Sequence, residues 1–191
     1  GRLELYDAPA APPRKKGQIQ RATRVKHVRI GTFRSPLTPV EGVYDAVVLL
    51  RDLGLNAQEQ MVALVVDAND RPLSVIRHSV GTIDGSQVYP GVLAGAIHAV
   101  RGASRVYLAH NHPSGVEDLS HADHRVSQRI AQLLWDTGVT LEGSFTVTTE
   151  GRAHDWNGAR FDVSALDAVP RSGARVPVTE RQYARFGTLG P

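Results

Sequence analysis

The sequence predicts an α/β domain in which a mixed β-sheet is flanked by helices, and three observations carry that expectation. Apolar runs of strand length recur at residues 61–66, 73–79, 105–109 and 140–149. Two segments between them, 90–100 and 120–137, carry apolar residues at helical spacing and stop near Gly102 and Gly138. The resulting order of strand, strand, helix, strand, helix, strand combines a hairpin with crossover helices, so the sheet should contain both antiparallel and parallel neighbours.

Taken in order, residues 1–24 form a basic arm in which Pro9, Pro12 and Pro13 oppose packing, and residues 1–17 are expected to be a solvated, partly disordered tail. Val25-Lys26-His27-Val28-Arg29-Ile30 alternates apolar and polar residues as an edge or extension strand does. Glu41 to Leu53 reads as a helix with Val43, Val47 and Leu50 on one face and Gly54 as its stop. After the Met61 to Val66 strand, Ala68-Asn69-Asp70-Arg71 is a turn into Leu73 to Ser79, which gives a hairpin. Pro90 to Val100 is a crossover helix, and Arg105 to Ala109 is the next strand. A further helix begins at Ser120, runs through Val126, Ile130, Leu133 and Leu134 to Thr137, and leads to a strand at Thr140 to Thr149. Residues 25–150 are thus the domain and 151–191 a C-terminal extension. In that extension Trp156 and Phe161 are expected to pack back on the core, and 171–191 to order on a partner.

Composition bounds the class of protein. The chain has 191 residues, 41% of them hydrophobic, enough for one packed core. No apolar run approaches membrane-spanning length, and the first residues lack the apolar centre of a signal peptide. Met61 is the only methionine, so the natural N-terminus is expected to be missing. The absence of cysteine excludes disulfides and cysteine nucleophiles and is compatible with a reducing cytoplasm, the expected location. Charge is uneven: residues 1–35 hold nine Lys or Arg against two acids, 36–150 hold seven against thirteen, and 151–191 hold six against four. Basic ends such as Arg14-Lys15-Lys16 and Arg21 to Arg29 can follow a phosphate backbone, which makes nucleic acid a possible partner. Tyr183-Ala184-Arg185-Phe186 can stack on bases or dock on its own domain. Oligomeric state is not readable.

The chemistry concentrates between residues 110 and 123. His110 and His112 are two positions apart at a strand end, so their rings share one face. Pro113-Ser114-Gly115 then turns the chain. Ser120 is a candidate N-cap, and Asp123 falls three residues later in the first helical turn, where an acid also sits well against the helix dipole. Two imidazoles and one carboxylate suit zinc, and three protein ligands leave one tetrahedral position open, the pattern of a catalytic site. Each half also reads as ordinary structure, a polar loop and a helix start; their coincidence at this spacing is what points to a metal.

The set His-x-His, a seven-residue spacer that opens on Pro113, then Ser-x-x-Asp resembles the JAB/MPN (JAMM) metalloproteases, and His110-Asn111-His112-Pro113-Ser114-Gly115 is similar to their bacterial RadC branch. The resemblance runs from about Gln58 to Val147. It implies a cytidine-deaminase-like sandwich, one zinc ion on His110, His112 and Asp123, a Ser120 hydroxyl that helps hold the tetrahedral intermediate, and an upstream Glu acting on the water. Glu59, just before the apolar strand in Ala57-Gln58-Glu59-Gln60-Met61, matches that Glu, although Gln60 and Met61 replace the usual His and Phe; Glu41 and Glu117 compete for the role. The chain also departs from the family at Tyr89-Pro90-Gly91-Val92 and at Leu141-Glu142-Gly143-Ser144-Phe145. The implied reaction is hydrolysis of an amide, peptide or isopeptide, in a peptide or protein substrate.

Other histidines lie outside this set. His124 stands about 100° and His121 about 160° from Asp123 around the helix, and both are expected to be exposed. His98 belongs to the crossover helix, and His27, His78 and His154 have no partner that spacing reveals. A second reading is a DNA-associated module, in keeping with the historical DNA-repair label of RadC proteins, whose basic ends bind nucleic acid and whose metal site cuts phosphodiesters or is structural. There is no internal repeat, phosphate-binding glycine loop or Ser-His-Asp order.

Overall fold

The computed structural model of the chain describes residues 3–5, 23–35, 39–80, 86–166 and 173–185. Ten strands and three α-helices follow one another: β1 (Leu3–Leu5), β2 (Thr23–Ser35), α1 (Val43–Leu50), β3 (Gln60–Val66), β4 (Pro72–Val80), β5 (Ser86–Val88), α2 (Pro90–His98), β6 (Arg105–His112), α3 (His121–Leu134), β7 (Thr140–Thr148), β8 (Arg152–Asp155), β9 (Arg160–Asp162) and β10 (Ala174–Arg185). Eight of the strands form one sheet in the order β2-β10-β4-β3-β6-β7-β8-β9, and β1 pairs in parallel with β5 beside it. The sheet is mixed as expected: β3 is antiparallel to β4 and β6, whereas β6 and β7 are parallel.

Strand β3 is central and buried on both faces, which is why its sequence is a continuous apolar run rather than an alternation. Val62, Leu64 and Val66 face a cluster that includes Val47 and Leu50 of α1. Met61, Ala63 and Val65 face the opposite cluster, with Leu93 and Ile97 of α2 and Val126, Ile130 and Leu134 of α3. Trp156 and Phe161 pack against these two layers, as the sequence suggested.

Several elements differ from the sequence reading for identifiable reasons. The helix expected over Glu41 to Leu53 is α-helical only over Val43–Leu50 and tightens into a 3₁₀ segment at Arg51–Leu55. Gly54 is not a left-handed stop. A Cβ there would lie 2.3 Å from the Thr148 carbonyl oxygen, so glycine lets this segment press against β7. At the far end of the helix pair, Gly138 does take the left-handed conformation, φ 81°, after α3 and a short 3₁₀ turn. Strand β6 continues three residues past Ala109 and therefore carries both histidines within the sheet.

The ends of the chain depart furthest. Leu3–Leu5, within the segment expected to be a solvated tail, pairs with β5, while Arg14-Lys15-Lys16 and Phe186 lie outside the described residues. The 171–191 segment, expected to order on a partner, contributes β10, which inserts between β2 and β4: antiparallel to β2 along its whole length and parallel to β4 at Val178–Glu180. Val176 is buried, and Val178 and Phe33 pack on the α1-side cluster, so apolar alternation within a basic segment is what seats the strand. Among the described residues no helix is long and apolar enough to cross a membrane.

Candidate metal centre

Three elements meet at the site. Strand β6 is held between β3 and β7, and its pairing with β3 ends at Met61 and His110, so its last residues project beyond that neighbour. His110 and His112 lie on the face that α3 covers. After His112 the chain turns at once: the Gly115 amide donates to the His112 carbonyl at 3.0 Å, and Gly115 takes φ 81°, which favours glycine. It returns to the sheet at Ser120, the N-cap of α3. The Asp123 N–H donates to Ser120 Oγ at 3.1 Å and the Ser120 N–H donates to Asp123 Oδ2 at 2.6 Å, a reciprocal capping box. Ser127 and Ser144, 2.7 Å apart at their hydroxyls, fix α3 to β7 one turn further on.

The three donor atoms form a nearly regular triangle. His110 Nε2 and His112 Nε2 are 3.1 Å apart, and Asp123 Oδ2 lies 3.3 Å from the first and 3.4 Å from the second. Ligands about 2.0–2.1 Å from a tetrahedral ion stand about 3.3–3.4 Å apart, so the triangle has the dimensions that one such ion requires. His110, His112 and Asp123 are all buried, and this is the group of residues that could hold a metal ion among those described. The His112 ring is already oriented for it: Nδ1–H donates to the Val116 carbonyl at 2.7 Å, which leaves the Nε2 lone pair for the cluster.

Charge supports the same fit. Burial opposes ionisation of Asp123, yet hydrogen bonds from His110, His112 and the Ser120 N–H hold its carboxyl well below the usual carboxylate range. Burial alone would lower the pKa of His112, but with a proton on Nε2, where an ion would otherwise take the lone pair, its bonds to Asp123 and Val116 and the charges of Asp123 and Glu59 raise it. Asp123 Oδ1 and both Glu59 oxygens are buried without a hydrogen-bond partner, a costly state that a nearby cation relieves.

Glu59 is only 4% exposed and its Oε1 is 3.9 Å from His112 Nε2. An isolated glutamate before a strand is ordinarily solvated, and this one is not. Burial raises its pKa, against the lowering influence of His110 and His112. The competing acids are elsewhere: Glu41 is exposed at the start of α1, and Glu117 is bound to Arg152 at 2.9 Å and to Arg160 at 3.1 Å. Asp118 joins Arg160 at 2.7 Å and His154 at 3.0 Å, and the Thr146 hydroxyl donates to the Glu117 carbonyl, so the β8–β9 hairpin latches the 113–119 loop beside the site.

His121 is exposed and His124 half-buried, and neither joins the cluster. His27 Nε2 lies 3.2 Å from His78 Nδ1, and the Tyr89 N–H donates to His78 Nε2 at 2.9 Å, partners that lie too far apart in sequence for spacing to reveal. The residue that the sequence reading passed over is Asn111. The spacing of the two histidines gives it no role, yet it is fully buried and bonded to the segment that carries Glu59.

Residues 38–154 match the family described as RadC-like JAB domain. The chain belongs to that family. It is also similar to the UPF0758 protein of Shewanella piezotolerans, 36% identical over 93 residues, which is 49% of this chain and 41% of the relative. The UPF0758 proteins of Shewanella woodyi and Shewanella loihica are 36% and 34% identical over the same length. The chain spans about two fifths of the length of these curated relatives. The RadC-like match therefore reaches from just before α1 into β8 and contains every residue of the candidate centre, while β2 and β10 lie outside the match.

Proposed function

We propose that this RadC-like domain is a zinc-dependent hydrolase of amide bonds, peptide or isopeptide, built on the cytidine-deaminase-like sandwich of JAB/MPN proteins. The observation that carries the reading is the triangle of His110 Nε2, His112 Nε2 and Asp123 Oδ2 at tetrahedral separations, with the unpartnered Glu59 carboxylate beside it. His110, His112 and Asp123 would hold the ion, which supplies Lewis acidity when bound, acidifying water and polarising a carbonyl. Glu59 takes a proton from the attacking water and delivers it to the amine nitrogen as the carbon–nitrogen bond breaks; its burial raises its proton affinity in support of that role. The Ser120 oxygen accepts from the Asp123 N–H, so its own proton remains to be donated to the developing oxyanion. Asp123 stays ionised throughout, anchored by the Ser120 N–H.

The test is metal analysis and turnover on the same preparations, with a library of fluorogenic peptide amides and isopeptides as substrate. One zinc per chain is expected in the wild type and in Glu59→Gln, and none in His112→Ala or Asp123→Ala. Turnover is expected to vanish in the ligand variants and to fall about 10²- to 10⁴-fold in Glu59→Gln. Unchanged turnover in Glu59→Gln discards its role, and stoichiometric zinc in His112→Ala discards the site.

One observation favours nucleic-acid contact as a second reading. The β2–β10 register sets Arg34 opposite Arg175 and Arg29 opposite Thr179 on one face of the ribbon, while Glu180 falls on the other face. A two-stranded ribbon with one arginine-rich face matches a phosphate backbone. Binding of a duplex oligonucleotide across a salt titration, weakened by Arg34→Ala with Arg175→Ala, supports it; duplex binding without metal-dependent amide cleavage replaces the hydrolase reading.

A further inference from the structure

We propose that Asn111 is a positioning residue whose side-chain amide clamps residues 56–60 so that the Glu59 carboxylate faces the His110–His112–Asp123 group. Because the two histidines occupy alternate positions of β6, the residue between them must point to the other face of the strand. There Asn111 is fully buried. Its Oδ1 accepts from the Gln60 N–H at 2.6 Å, and its Nδ2 donates to the carbonyls of Asn56 at 3.0 Å and Gln58 at 2.9 Å. Three of the four hydrogen bonds an asparagine amide can make therefore go to the main chain of one short segment.

Apart from the clamp that segment is held at its two ends, where Asn56 bonds to the Leu53 carbonyl and Gln60 pairs with Val80 of β4. The β3–β6 ladder stops at Met61 and His110, so the Asn111 amide takes the place of the next backbone pair. Ala57 and Gln58 are exposed, and Glu59 between them and the strand is buried with neither oxygen bonded. A buried carboxylate without partners and close to the Asp123 charge is drawn toward water. The clamp opposes that pull: bonding on both sides of Glu59, at Gln58 and at Gln60, it removes the hinge through which the side chain would swing out. A single strand end thus sets two things at once, the ligand rings on one face and the proton carrier through the other. Aspartate at 111 would keep the acceptor for Gln60 but set a carboxylate against two carbonyl oxygens. Serine or alanine would keep neither.

The proposal rests on the reading of Glu59 as the proton carrier, and the experiment separates the two. The full chain is loaded with cobalt, whose visible spectrum reports ligand geometry, and compared with Asn111→Ala, the near-isosteric Asn111→Asp, Glu59→Gln and the Asn111→Ala/Glu59→Gln double variant. Amide hydrogen exchange at Gln60 and steady-state hydrolysis of the peptide-amide library are followed in each. Expected are an unchanged cobalt spectrum and stoichiometry in both Asn111 variants, exchange at Gln60 at least about tenfold faster in Asn111→Ala, and kcat at least about tenfold lower with KM unmoved. Because Asn111 acts through Glu59, the double variant should turn over no more slowly than Glu59→Gln alone. Loss of cobalt, an unchanged Gln60 exchange rate, or additive losses in the double variant overturns the clamp. Full turnover in Glu59→Gln instead overturns the role of Glu59, and the exchange and spectral results still decide whether Asn111 holds the segment.

Discussion

Asp123 Oδ2 is shared between the helix and the candidate metal. The same oxygen accepts the Ser120 N–H and faces both Nε2 atoms, so the capping box holds a ligand in place before any ion arrives. That double use explains how Ser-x-x-Asp can be both an ordinary helix start and part of the proposed hydrolase site, and it lets the roles of Ser120 be separated. Glycine caps helices nearly as well as serine, at a loss of only a few tenths of a kcal/mol, but has no hydroxyl to donate. Ser120→Gly should therefore leave the urea midpoint almost unmoved while kcat falls about 10²- to 10³-fold. A large stability loss with unchanged kcat would assign Ser120 to the cap alone. At this scale the meeting of His110, His112 and Asp123 was legible in the sequence because strand alternation and helix capping are local rules. Asn111 was not: its role depends on which backbone it meets, and Asn56, Gln58 and Gln60 lie more than fifty positions earlier in the chain.

Between elements, the loop from Pro113 to Leu119 matters most, since its Val116 carbonyl orients His112 and its Glu117 and Asp118 are tied to Arg152, Arg160 and His154. Surface ion pairs contribute little to global stability, but several on one short loop restrict where its carbonyl can go. Removing both arginines, Arg152→Ala with Arg160→Ala, should lower zinc affinity about 10- to 100-fold in competition with a chelator, while thermal stability changes little. Equal affinity would show that Val116 is held by the turn alone. The β7–β8 junction offers a pH test. Burial raises the pKa of Asp155, despite the N–H bonds it accepts from Ser144 and Asn157. Between its ordinary value and the folded one, the native state holds more protons than the unfolded chain, so its contribution to stability falls as pH rises through that window. Asp155→Asn keeps an acceptor for the Ser144 N–H and cannot ionise, so whatever it loses at Asn157, its own stability carries no titration of this side chain. Urea denaturation should show the variant gaining on the wild type as pH rises out of the acid range. A variant that loses ground instead would contradict the raised pKa.

The whole molecule is closed by its two ends. Hairpin β3–β4, the crossover through α2 and the β6–α3–β7 unit were readable because turns, caps and apolar periodicity announce them locally. The β10 strand was not, since its partners β2 and β4 lie about a hundred or more residues earlier and its basic composition resembles that of a tail. Inserted between them, β10 covers the β4 edge and seats Val176 in the α1-side layer, with Val178 and Phe33 packed on that layer. Burying one valine side chain stabilises by about 1.5–3 kcal/mol, and the uncovered edge of β4 would present unpaired backbone to any other strand. A chain ending at residue 172 should therefore lose at least about 3 kcal/mol in urea denaturation and self-associate in light scattering, because β2 loses its only ladder among the described residues. Val176→Ala in the full chain should lose roughly 1–3 kcal/mol and remain monodisperse, since the ladder stays intact. The pairing of outcomes is decisive: if the shortened chain kept the wild-type midpoint and scattered no more light, β10 would not be part of the folding unit, and the match at residues 38–154 would by itself define everything the centre needs.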